Sequence, residues 1–151
     1  MMQAETDIEA LTGAIIGCAM EVHRILGPGF LESVYEKALV IELDLRGLKC
    51  ERQMPIQATY KGHPVGDFIS DLLVEKRVLV ELKASQTLHD RHGIQLVNYL
   101  TTTGIDNGLL FNFGADSLQF KRKRRIYTPS ASSSHLGSEH HNQSRSSCNP
   151  G

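Results

Sequence analysis

Residues 71–83, DLLVEKRVLVELK, are the stretch on which the reading of this chain turns. Apolar runs lie on both sides of the charged triplet Glu75-Lys76-Arg77. Short runs of branched aliphatic residues bounded by turn signals read as strands. The triplet is therefore a turn, and residues 65–74 and 78–84 are the two arms of a hairpin. Successive strand side chains alternate faces, so Val78, Val80, Leu82 and Ala84 point into a core while Glu81 and Lys83 point the other way. If Val74 faces Val78 across the turn, Asp71 falls opposite Glu81; a slip of one residue sends Asp71 to the other face. Opposed residues have Cβ atoms about 4.5–5.5 Å apart, where two like charges are destabilising. One outcome is a solvated polar face with Lys83 pairing Glu81, common on exposed hairpins. The other is a site for a hard cation, Mg²⁺ or Mn²⁺, because Mg²⁺ is held by one or two carboxylates together with waters and phosphate oxygens. Lys83 can then orient or deprotonate an attacking water, or steady charge developing on a phosphoryl group.

The chain downstream adds to the second outcome. Residues 90–103 read as a helix ended by Gly104, and Gln95 and Tyr99, four apart, share a face of it. Such a pair can set an amide and a phenol beside a phosphate or a base; the plain alternative is a helix flank with one amphipathic tyrosine. Strands near 109–113 and 118–127 follow, separated by Gly114-Ala115-Asp116. Upstream, residues 52–60 form a strand that turns at Lys61-Gly62-His63-Pro64. Ile8, Leu11, Ile15, Ala19, Val22 and Leu26 recur at spacings of three and four, which predicts a helix over 7–26 stopped by Gly27-Pro28-Gly29. A second helix runs from 31 to 46 and stops at Gly47. The order α-α-β-β-β-α-β-β predicts a single α/β domain with a mixed central sheet over residues 1–128. Residues 129–151 are rich in Ser, His and Asn and poor in core formers, so a disordered tail is expected there. His135, His140 and His141 form at most a loose metal-binding cluster within it.

Composition is that of an ordinary soluble protein, with 40% hydrophobic and 22% charged residues among 151. Cys18, Cys50 and Cys148 are widely spaced and odd in number, which suggests neither a disulfide framework nor a zinc knuckle and fits a reducing cytoplasm. The polar, acidic start is not a secretory signal, and no apolar run is long enough to span a bilayer, so no membrane role is expected. Charge is unevenly spread: residues 1–120 hold 16 acidic and 10 basic side chains, whereas 121–125 read Lys-Arg-Lys-Arg-Arg. An acidic body with one basic run can grip a phosphate backbone there, with Lys121 and Arg122 foremost, or simply carry a solvated strand end.

Taken together, Asp71, Glu81-x-Lys83 and Gln95-x-x-x-Tyr99 resemble the PD-(D/E)XK nuclease superfamily, and most of all its exonuclease-type branch. Gly29-Phe30-Leu31-Glu32-Ser33-Val34-Tyr35 resembles the signature of the GxxExxY proteins, and the segments EVHRILGPGFLESVYEKAL, QLVNYL and GLLFNFG extend the likeness over about 8–127. The resemblance implies a restriction-endonuclease-like core and Mg²⁺- or Mn²⁺-dependent hydrolysis of nucleic-acid phosphodiester bonds, DNA in the first place. It implies Asp71, Glu81, the Leu82 carbonyl and Glu32 as metal ligands, with Lys83 and Glu32 among the catalytic groups. It makes Gln95, Tyr99 and His23 substrate contacts, His23 having a packing role as its alternative. Glu36 and Glu42 compete with Glu32 for the helix position. Ile69 departs from the basic or aromatic residue usual two positions before the aspartate, which puts a substrate contact in doubt. The different-class alternative is a catalytically silent module of the same fold that binds nucleic acid or a protein partner.

Overall fold

Every residue from Val78 to Leu82 of strand β3 (Val78–Lys83) is buried, which demands cover on both faces of the sheet. The chain supplies that cover from two directions. The computed structural model describes residues 2–127. Its sheet runs β1 (Cys50–Tyr60), β2 (His63–Val74), β3, β4 (Asn107–Asn112) and β5 (Gln119–Arg124), in that order. Neighbours are antiparallel except β3 and β4, which are parallel. Parallel neighbours need a crossover, and helix α3 (Asp90–Thr103) is that connection. Helices α1 (Met2–Leu26) and α2 (Glu32–Leu45) precede the sheet.

Strand alternation sorts the core into two layers. Val78, Val80 and Leu82 pack with Ile15, Ala19, Leu39 and Leu43 beneath α1 and α2. Leu79 packs with Leu73, Leu110 and the α3 residues Leu96 and Leu100 on the opposite face. The expectation of an α/β core with a mixed sheet holds, and α3 ends at Gly104 in the left-handed conformation (φ 78°) that closes a helix. One feature differs from a one-sided hairpin. The face that carries Glu81 is roofed by α3, because β3 is a central strand and its neighbour on that face, Leu79, is apolar.

Register places the charged residues. Val74↔Val78, Leu73↔Leu79 and Leu72↔Val80 are paired, the register assumed across the short turn, and the β2–β3 ladder stops there. On the other side of β2, Arg52↔Leu72 and Met54↔Ser70 are paired while Gln53, between them, sits at φ 56°. The sheet is thus irregular on both flanks of Asp71. Residues 129–151, with the tail and histidine cluster expected in them, lie outside the described residues. Among the described residues no helix is long and apolar enough to cross a membrane.

Candidate active site

Where the β2–β3 ladder stops, two carboxylates take over its hydrogen bonds. Glu81 Oε2 accepts from the Asp71 N–H (3.1 Å) and from the Ser70 hydroxyl (2.8 Å). Asp71 Oδ2 accepts from the Leu82 N–H (2.8 Å). The strands are therefore bridged by side chains in place of carbonyls, and no protein donor among the described residues reaches Asp71 Oδ1 or Glu81 Oε1. The N–H and C=O of one strand residue leave on the same edge, so the Leu82 carbonyl is directed to the same fork.

The electrostatics are those of two desolvated acids in contact. Glu81 is only 6% exposed, and its carboxyl is pushed up to about 7, first by burial and then by the Asp71 charge. Burial also raises Asp71; the Leu82 N–H opposes this, and the charges of Glu36 and Glu32 reinforce it. Lys83 pulls both carboxyls down without lying in an ion pair with either. A hard cation fits this donor set. Among the described residues no group of three or more His, Cys, Asp or Glu is placed to hold a metal by side chains alone. Two carboxylates, one carbonyl, waters and a substrate oxygen nevertheless make the sparse coordination that Mg²⁺ prefers.

The helix glutamates divide by position. Glu32, exposed at the first turn of α2, raises Asp71 and opposes the lowering of His92, so it faces the mouth of the site. Glu36 is buried and occupied, accepting from Arg52 Nε (3.0 Å) and from Gln53 Nε2 (3.2 Å). It thereby holds Gln53 in a left-handed backbone that costs a non-glycine residue about 1–3 kcal/mol. Glu42 pairs with Arg46 at 3.1 Å and bears on the Cys18 thiol of α1, away from Asp71.

Gly29, Glu32 and Tyr35 belong to one local device. Gly29 adopts φ 113°, open to glycine alone without strain. The Tyr35 hydroxyl donates to the Gly27 carbonyl (2.5 Å) and accepts from the Phe30 N–H (3.1 Å). Its buried ring stacks on Phe113 with centroids 4.7 Å apart. The turn that launches Glu32 is fastened to the core by this phenol. Tyr35→Phe should therefore cost about 1–3 kcal/mol, the penalty of orphaning both backbone groups. Urea denaturation tests this, and a change within experimental scatter would show that the turn holds without the phenol.

Tyr99 is buried on α3, and its phenol is raised by burial and then by the charges of Glu81 and Asp71, so it adjoins the pair. Gln95 is exposed one turn earlier. His23 is buried; its Nε2 donates to the Ala115 carbonyl (2.9 Å), and its ring stacks on Phe113, tying α1 to the β4–β5 connection. Strand alternation splits the basic run. Glu81↔Leu110↔Lys121 lie in register, which puts Lys121 on the face of Glu81, two strand spacings or roughly 10 Å away. Its ammonium is 3.9 Å from Asp90. Arg122 pairs with Leu109 on the other face and borders α1 near Glu9 and Thr12.

Two groups near the pair lie beyond the residues singled out from sequence. Ser70 is buried and bonded to Glu81. His92 is half-buried, and its imidazole is lowered by burial and next by the Lys83 charge. The spacing His92, Gln95, Tyr99 is the helical stripe that could have revealed it. Beyond Lys83 the chain is clamped. The Asn112 side chain bonds both backbone groups of Ser85 (2.9 and 2.8 Å), and Gly114 packs so closely on Ser85 that a Cβ would strike its backbone.

The model of the PD-(D/E)XK nuclease superfamily matches residues 9–125. The crystal structure of SSO0001 superposes with a TM-score of 0.52 at 17% identity, over 64% of this chain and 50% of that one. This chain thus spans half the length of that protein, and the likeness is one of restriction-endonuclease-like fold. No curated protein matches significantly.

Proposed function

Because the chain belongs to the PD-(D/E)XK nuclease superfamily, we propose that it hydrolyses nucleic-acid phosphodiester bonds with the help of a divalent cation, DNA being its substrate. The observation that carries this reading is the fork between β2 and β3, where the buried Glu81 and the partly buried Asp71 repel one another beside an ammonium that has no ion-pair partner among the described residues. A fold gains nothing in stability from that juxtaposition, and a bound cation removes its cost.

Asp71 and Glu81 hold Mg²⁺ or Mn²⁺ through their remaining oxygens, with the Leu82 carbonyl as a third ligand. The ion, when bound, polarises the phosphate and makes water a stronger nucleophile. Lys83 orients that water and offsets charge on the phosphorus centre as the ester P–O bond breaks. Glu32, at the mouth, completes the acidic shell, while Gln95 and Tyr99 steady the substrate backbone and Lys121 meets a phosphate beyond. The turn formed by Gly29, Glu32 and Tyr35 further supports placing the chain with the GxxExxY proteins.

The test is incubation of single- and double-stranded DNA with Mg²⁺ or Mn²⁺. Cleavage should vanish in chelator and fall by about 10³-fold or more in Asp71→Asn, since both an ion ligand and its charge are lost. Equal cleavage by wild type and variant would mark a contaminant and remove the assignment.

A further inference from the structure

Beside Tyr99, the end of the β1–β2 hairpin and α3 enclose a cavity of about 410 Å³, within the range of small-ligand sites. On the strand side it is lined by Ala58, a residue with little side chain. Ala58 and Gly66 are register partners across β1 and β2. The ring of Phe68 folds back over Gly66, where a Cβ would stand 3.1 Å from it. Phe68 and Tyr99 line one side with ring centroids 5.6 Å apart, and Ile94 and Asn98 of α3 line the other. Arg91 stands at the cavity, and among the described residues no carboxylate lines it. Phe68 and Ile94 remain 42% and 61% exposed, large apolar groups left to water.

We infer that this cavity takes one unpaired nucleobase of the substrate strand, so that the enzyme acts on single-stranded or frayed nucleic acid. The inference rests on the nuclease reading of the adjoining carboxylates. Aromatic faces accept any base by stacking. The amides of Gln95 and Asn98 match the donor and acceptor edge that a base exposes only when unpaired. Arg91 supplies the cation for a flanking phosphate. Phe68 stands three residues before Asp71 on β2 and Tyr99 lies against it, so a base seated here brings its own phosphodiester link toward the fork. A base within a duplex has both faces stacked and its pairing edge used, and cannot enter.

The experiment uses the full chain in chelator with a short single-stranded oligonucleotide carrying 2-aminopurine, whose fluorescence is quenched by stacking. Quenching should accompany binding by wild type and be absent for the same probe in a duplex. Phe68→Ala should weaken binding about ten-fold by removing a stacking face. Ala58→Leu, which fills the strand side of the cavity and opens no hole in the core, should do the same. In parallel, each protein is assayed for Mg²⁺-dependent cleavage of the single strand and of the duplex. If both variants bind and quench like wild type while cleavage persists, the cavity inference is overturned and the nuclease reading stands. If the variants lose quenching although no protein cleaves, the cavity is supported and the nuclease reading falls.

Discussion

Lys83→Ala should lower Mg²⁺-dependent cleavage by about 10²–10³-fold while leaving the melting temperature nearly unchanged. That is the scale on which one preorganised charge at the reacting centre acts, about 3–4 kcal/mol of transition-state stabilisation. Lys83 is half-buried at the end of β3, and its charge reaches Asp71, Glu81 and His92. Among the described residues it forms none of the ion pairs. Its ammonium therefore stabilises little in the resting protein, which is why the fold should tolerate its loss. The strand end that carries it is pinned by Asn112 to Ser85, so the charge is aimed by the backbone. The loss should fall on kcat, with KM little altered. Lys83→Arg should recover only part of the rate, because the planar guanidinium keeps the charge but not the compact shape. A large loss of stability in Lys83→Ala would assign the side chain to holding the fold together.

Glu81→Gln should stabilise the metal-free protein at pH 8 while abolishing cleavage. The Glu81 carboxyl rises in the folded chain from its ordinary 4.5 to about 7, chiefly through burial and next through Asp71. Between those values the folded chain holds more protons than the unfolded one, so stability falls as pH rises. It is full below pH 4.5 and lost as pH passes through about 7, the reverse of an ion-paired carboxylate. The whole span amounts to at most about 3 kcal/mol. The glutamine carbonyl can still accept from Ser70 and the Asp71 N–H, so the variant keeps the hydrogen bonds and sheds the charge. Wild type in chelator should therefore weaken between pH 5 and 8 and recover with excess Mg²⁺ or Mn²⁺, since a ligand bound only by the folded state adds stability. Glu81→Gln should show neither response. Denaturant melts across that pH range decide the matter, and a variant less stable than wild type at pH 8 without metal would contradict the charge-repulsion account.

Much of this was legible in the chain itself, for reasons that differ by element. The helix at 90–103 is bounded by its periodicity and by Gly104, both local signals. The register assumed across the short turn, Val74 against Val78, is the one observed, and beyond its last pair the Asp71 N–H meets the Glu81 carboxylate. The cover over Glu81 was not legible from alternation, because whether a strand is central depends on the parallel partner that joins it after a crossover. Nor was the occupation of Glu36 by Arg52 and Gln53, which joins a helix to a strand through tertiary contact. Ser70 carries no local signal of a role, and only its burial against Glu81 gives it a task. The run at 121–125 looked like one patch, yet strand alternation sends its charges to both faces.

That run has a second consequence, for the company the molecule keeps. β5 is a margin of the sheet, and an unprotected margin invites another chain to extend it. Two copies meeting there would crowd like cations along the seam, which is how natural sheets discourage such adhesion. The opposite margin, β1, is guarded differently: Pro55 has no N–H to offer a newcomer, and the twist at Gln53 breaks the straight template. Both borders of the sheet thus resist accretion.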